Sequence, residues 1–293
     1  MKLLGSYING NYRVSIFDDG TKIKETHADE FKAQFPESMD VKITNYCDRN
    51  CLWCHEDSHI EGFHGDVLNA KFIQTLRPYT EMAIGGGNPL SHPQLVEFLT
   101  LLQKQNIIAN MTVNQHHFME NIDLIKRLVD MRLIWGLGIS LQDYNEDFIE
   151  TISQFPNAVL HIINGVVEIT DLEKMYGKNL KILILGYKQF RRGNDYYSQV
   201  VEERKAQLYS AMPEVLHGFQ VVSFDNLAIL QLDVKRLVSE EQWREFYMGD
   251  DGSHTMYVDM VNRKFALNST SEITYELLDT VDEMFYVVQN IKL

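Results

Sequence analysis

The chain has 293 residues, 45% of them apolar and 23% charged, enough for a buried core without disulfide staples, and its 6 Pro and 17 Gly are too few for a disordered or fibrous chain. Its 41 acidic residues outnumber 27 basic ones, and the formal charge of −14 argues against general binding of nucleic acid or of an anionic membrane. Met1-Lys2-Leu3-Leu4-Gly5-Ser6 turns polar at once and no long apolar run follows, so a cytoplasmic location without membrane contact is expected.

Residues 1–39 read as an N-terminal β appendage. Asn9-Gly10 is the expected hairpin pair, Asp18-Asp19-Gly20 the next turn, and 12–17 and 21–25 the flanking short strands. Over 40–190, apolar β-rich runs alternate with segments of helical period. The expected strands are 41–46, 82–86, 107–114, 133–141, 158–167 and 180–187; the expected helices are 67–76, 92–105, 118–131, 146–155 and 169–176. Such alternation implies an α/β fold with a parallel sheet, either doubly wound or a closed or partial barrel. Residues 191–293 read as an extension, with a helix over 196–210 and strands over 221–232 and 256–261. Within it Asp250-Asp251-Gly252 reads as a turn, and the acidic stretch 268–290 as a solvated face.

All three cysteines, Cys47, Cys51 and Cys54, fall within eight residues directly after the first of the six strands. Core-filling cysteines would be scattered; three close thiolates suit a soft metal or an iron-sulfur cluster. Three ligands leave one iron of a four-iron cubane open to a substrate or cofactor. His55, His59 and His64 follow closely, so a non-catalytic binding module stabilised by zinc is the rival reading, weakened because a second C-x2-C pair is missing.

The C-x3-C-x2-C spacing, with Trp53 before the last cysteine, resembles the radical S-adenosylmethionine (radical SAM) superfamily. The resemblance implies a partial (β/α)6 barrel over 40–190, here with an N-terminal β-hairpin appendage and a C-terminal α+β extension. It implies a 4Fe-4S cluster on Cys47, Cys51 and Cys54, with S-adenosylmethionine at the open iron. The cofactor is cleaved reductively to a 5′-deoxyadenosyl radical, which abstracts hydrogen from a small-molecule or peptide substrate. An electron donor such as flavodoxin or ferredoxin is implied as partner. Gly86-Gly87-Asn88-Pro89 resembles the family's Gly-Gly-Glu-Pro, which holds the cofactor's amino group; the Asn88 amide can accept a hydrogen bond but lacks a carboxylate's charge. Asn114 and Ser140, at strand ends, match the family's ribose- and carboxylate-contacting positions, and Asn164 and Gly165 match its adenine-side segment. Trp53 is placed beside the cofactor by its position in the cysteine loop.

Overall fold

The computed structural model describes residues 1–290. Leu3–Asn9 (β1), Tyr12–Phe17 (β2) and Lys22–Thr26 (β3) form a separate antiparallel sheet in the order β1-β2-β3. Alternation orients β2, burying Tyr12, Val14 and Ile16 while Arg13 faces out. The hairpin turn lies one residue later than expected. Asn9 pairs with Tyr12, so Gly10-Asn11 makes the turn, with Gly10 at φ +59°. Asn9 itself is fully buried and fastens the following loop: its side chain accepts from the Gln34 amide at 2.8 Å and donates to the Phe35 carbonyl at 2.9 Å.

This small sheet is tied to the large one through Glu37, which is buried at the start of the next strand. Glu37 accepts from the Tyr12 hydroxyl at 2.5 Å and pairs with Lys24 at 2.8 Å and Lys22 at 3.6 Å. Burial alone would raise its carboxyl, but the two ammonium groups outweigh burial and hold it below its ordinary value. A carboxylate depressed in this way stabilises the fold above its unfolded pKa and loses that contribution as pH falls through its lower folded value. Melting temperature against pH should therefore fall on an acid limb that Glu37→Gln flattens, and the variant should melt lower near neutral pH.

The large sheet contains ten strands: Ser38–Thr44 (β4), Glu81–Gly86 (β5), Ile108–Asn114 (β6), Gly136–Ser140 (β7), Ala158–Ile163 (β8), Lys181–Leu185 (β9), Val221–Phe224 (β10), Thr255–Asp259 (β11), Lys264–Ala266 (β12) and Tyr275–Glu276 (β13). Their order is β10-β9-β8-β7-β6-β5-β4-β11-β12-β13. Pairing is parallel from β10 to β11 and antiparallel from β11 to β13. With β10 and β13 as free edges the sheet does not close, in keeping with a partial barrel. The six expected strands of 40–190 are β4 to β9. Their outward residues, including Val41, Ile84, Met111, Ile139, Leu160 and Ile182, are buried in one apolar core beneath the helices. Their inward residues are mostly small or polar, in register as Asp40–Ala83–Asn110–Gly136 and Asn114–Ser140–His161. Residues beyond 190 extend both sides, β10 beside β9 and β11 beside β4.

Several expected elements differ. Residues 67–76 contain only the 3-10 turn Lys71–Thr75, because the Asp66 carboxylate engages the Asn69 amide at 3.1 Å and its side chain at 3.0 Å in a local turn that competes with helix. The helix expected over 118–131 is two, Gln115–Glu120 and Ile122–Asp130, the first begun early by Asn114 accepting from the His116 amide at 2.9 Å. The helix expected to end at 210 runs over Gln199–Gly218 through Pro213. Pro213 cannot donate to the Tyr209 carbonyl, and Arg236 takes that acceptor at 2.6 Å. The strand expected over 221–232 ends at Phe224; Asp225 then caps the helix Asn226–Leu232 through the Ala228 amide at 2.7 Å. No helix among the described residues is long and apolar enough to cross a membrane.

Candidate functional site

The carboxyl ends of β4 to β7 converge on the cysteine loop. The chain leaves β4 at Thr44 and folds back on itself, the Asn45 amide donating to the Phe63 carbonyl at 2.8 Å and the Cys47 amide to the His59 carbonyl at 3.0 Å. Cys47, Cys51 and Cys54 are all free thiols and half-buried. Burial pushes the Cys51 thiol up to about 11, and the neighbouring Cys54 and Cys47 add to the rise; Cys47 is raised by burial and by Cys54 and Asp48. Thiols crowded together in this way become a thiolate set once a cation compensates their charge.

The segments after β6 and β7 grip this loop. His117 is buried and its Nε2 lies 2.6 Å from the Asp48 carboxylate, while Glu120, one helical turn on, pairs with Arg49. Asn114 Nδ2 lies 3.8 Å from the Cys51 sulfur, as does Gln142 Oε1, and the Gln142 amide donates to Gln115 Oε1 at 2.7 Å. Asn114 is thus beside the cysteines as expected from its strand-end position, and Ser140 is next to it in register.

Gly86 and Gly87 allow a close approach of backbone to backbone. Gly86 sits at φ +108°, and a Cβ there would fall 2.4 Å from the Thr44 carbonyl; at Gly87 it would fall 2.1 Å from the Tyr46 carbonyl. The Gly87 and Asn88 amides donate to those same two carbonyls at 2.8 and 2.7 Å. The glycine segment is therefore bound directly to the start of the cysteine loop. Asn88 is buried, and its Oδ1 accepts from the Leu90 amide at 3.2 Å.

Trp53 packs at 5.5 Å between ring centroids on Tyr196, against the small cluster of Val166, Tyr187 and Val201. Asn164 is fully buried after β8, its Nδ2 donating to Gln231 at 3.0 Å and its Oδ1 without a partner among the described residues. Gly165, at φ +86°, lies under the helix Gln199–Gly218, where a Cβ would come within 2.8 Å of Val201.

None of the three histidines of the zinc reading joins the thiols. His55 Nε2 lies 3.3 Å from both Lys188 Nζ and Ser269 Oγ, His64 bonds Thr44 at 2.8 Å, and His59 is exposed. Among the described residues, the grouping with metal-type ligand atoms within 4.8 Å of one another is Cys47, Asp48 and His117, which includes none of them. Two features had no local sequence signal: the Asp48–His117 pair, and the buried network below the loop. In that network Lys42 pairs with Glu56 at 2.9 Å and Asp259 at 3.5 Å, and the Tyr257 hydroxyl donates to Glu56 at 3.0 Å.

The sequence pattern of the Radical SAM superfamily matches residues 41–188, about half of the chain. This chain belongs to the radical SAM superfamily. It is accordingly a radical SAM enzyme, one that uses a 4Fe-4S cluster and S-adenosylmethionine, and the zinc-module reading is set aside. Its fold is similar to that of SuiB from Streptococcus suis. The structure of SuiB bound to S-adenosylmethionine matches at TM-score 0.59 and 12% identity, covering 88% of this chain and 69% of that one. The structure of SuiB bound to precursor peptide SuiA matches at TM-score 0.56 and 13% identity, covering 89% and 68%. Nothing among the curated proteins matches it. A three-thiol donor set in a loop packed against a glycine segment is a fit for the radical SAM cofactors.

Proposed function

We propose that Cys47, Cys51 and Cys54 hold the cluster, that Gly86, Gly87 and Asn88 bind the amino end of S-adenosylmethionine, and that the substrate is a peptide or small molecule entering the open lumen. The observation that supports this reading is the hydrogen-bonded junction between the glycine segment and the cysteine loop, which puts Gly86-Gly87-Asn88 and the three thiols side by side. When bound, the reduced cluster supplies the electron that cleaves the cofactor. The protein's own residues do the rest. Asn114 and Gln142 place polar groups against Cys51, Asp48–His117 and Arg49–Glu120 fix the loop, and Trp53 packs the loop's far side. Asn114 and Ser140 offer hydrogen bonds to the cofactor's ribose and carboxylate, and Asn164 and Gly165 line its adenine side.

In this division of labour, 40–190 carries the cofactor chemistry, with 1–39 and 191–293 as appendage and extension. A peptide substrate is favoured by likeness of fold to SuiB, which was crystallised with a precursor peptide. The electron comes from a donor such as flavodoxin or ferredoxin. Anaerobic reconstitution with iron and sulfide, then assay for 5′-deoxyadenosine from S-adenosylmethionine and dithionite, tests the reading; a colourless protein that makes none overturns it.

Asn88 supplies a specific prediction. Its Oδ1 caps the Leu90 amide, a role that aspartate fills equally well, and aspartate adds the charge that an ammonium favours. Asn88→Asp should bind S-adenosylmethionine several-fold more tightly, and Asn88→Ala more weakly, in equilibrium binding to the reconstituted protein.

A further inference from the structure

The inner face of the curved sheet contains a carboxylate, Asp40, that is held in no ion pair among the described residues. Asp40 lies between Tyr257 of β11 and Ala83 of β5 in the register, and among the described residues nothing forms a hydrogen bond or ion pair with its side chain. The side chain is open to solvent, yet protein surrounds it. Burial raises its carboxyl, Lys188 opposes the rise, and Asp251, Asp225 and Glu56 add to it. A group that is both reachable by water and surrounded by protein sits on the wall of an internal space open to solvent.

The neighbouring positions keep that space open. Ala83 and Gly85 occupy inner-face positions that branched side chains fill in a closed barrel, and a Cβ on Gly85 would meet nothing within 4 Å, whereas Gly136 is covered by Asn110, whose Oδ1 lies 2.7 Å from where a Cβ would stand. His161 lies over Gly138, where a Cβ would come within 2.5 Å of its ring; burial lowers it to about 4, so it is a neutral imidazole, and its ring has no hydrogen-bond partner among the described residues.

The other charges facing Asp40 are engaged. Asp225 accepts from the Gly186 amide at 2.9 Å and the Ala228 amide at 2.7 Å. Asp251 accepts from Asn226 at 2.7 Å and Asn268 at 2.8 Å. Glu56 has Lys42 and Tyr257, and Lys188 donates to Ser269 at 2.9 Å. An enclosed charge is retained at a cost to stability unless something compensates it; Lys188 reduces that cost without forming an ion pair with Asp40, which leaves the carboxylate free to take a cation from outside the chain.

We propose that Asp40 is the specificity anchor of the substrate lumen and takes a cationic group of the substrate, an alkylammonium or guanidinium. The proposal rests on the radical SAM reading for the location of the substrate. A charge-assisted hydrogen bond inside such a space discriminates a cation from its neutral isostere by about tenfold or more.

The test is calorimetric titration of anaerobically reconstituted protein loaded with S-adenosylmethionine. The probes are a capped Gly-Lys-Gly tripeptide, its norleucine counterpart and free n-pentylamine. At least one cationic probe should bind about tenfold tighter than the norleucyl peptide, and Asp40→Asn should reduce that preference to within about twofold. The tighter of the two cationic probes identifies the source, peptide or small amine. Gly85→Val, which fills the lumen without altering charge, should weaken lysyl and norleucyl peptides alike. Asp40→Asn should melt no lower than the parent, because it removes a charge held in no ion pair. Equal binding of charged and neutral probes, a preference that survives in Asp40→Asn, or a lower melting temperature for that variant overturns the proposal. Failure of the parent protein to make 5′-deoxyadenosine overturns the radical SAM reading instead, so the two failures are distinguishable.

Discussion

Cys51→Ala should abolish both iron binding and formation of 5′-deoxyadenosine, while leaving the metal-free protein close to its original stability. Cys51 is the middle thiol of the three and the one contacted from two other strand ends, by Asn114 and Gln142. Its thiol stands at about 11 through burial and the charges of Cys54 and Cys47, so it ionises at neutral pH only when a metal compensates it. Removing it takes away a ligand as well as the sulfur toward which both amides are directed. Two thiols hold a cubane poorly, and iron per chain and the visible absorption of the reconstituted protein should fall to background. The half-buried thiol contributes little to folding, so the melting temperature of the apo form should move by an amount equivalent to no more than ~1 kcal/mol. Retention of iron and turnover by Cys51→Ala would remove the basis of the cluster assignment.

The six strands that carry the cofactor chemistry were legible because their outward faces obey a simple physical rule. Val41, Ile84, Met111, Ile139, Leu160 and Ile182 must be buried under helices, and each run is short, β-rich and bounded by turn residues. The cysteine loop was legible because its three thiols are local in sequence. What sequence could not display is pairing across distance. Asp48 meets His117 across 69 positions, and Glu56 meets Tyr257 across 201; in each case nothing local in the sequence links the two partners. Asn9 misled for a related reason: next to Gly10 it resembles a turn residue, whereas its side chain is committed to Gln34 and Phe35. The helix Gln199–Gly218 passes through Pro213 because Arg236, far along the chain, takes the acceptor that the proline leaves free. Local propensity was overruled in these places by tertiary hydrogen bonds, and such bonds also hold the cysteine loop in place.

Lys42→Met should be the most destabilising single substitution away from the apolar core. Lys42 lies on β4 with its side chain only 2% exposed, bonded to Glu56 and Asp259, which are themselves 9% exposed. Methionine keeps most of the stem volume but leaves two buried carboxylates without their shared cation. Breaking a buried pair from one side typically costs ~3–5 kcal/mol, much more than the pair's own net contribution. Asp259 retains the Val261 and Asn262 amides at 2.9 Å each and the Asn262 side chain at 2.7 Å, whereas Glu56 keeps the Tyr257 hydroxyl at 3.0 Å and Arg191 at 3.9 Å, so the larger share of the penalty falls on Glu56. Glu56 lies two residues beyond Cys54, so the strain falls on the cysteine loop, and iron uptake should slow as well as the melting temperature fall. Lys42→Met combined with Glu56→Gln should recover part of the loss, because the second change removes the charge that the first exposes. A double-mutant cycle in chemical denaturation that shows the two substitutions to be additive would mean that Lys42 and Glu56 act independently, and the loop would then be held by its backbone bonds and the Asp48–His117 and Arg49–Glu120 contacts.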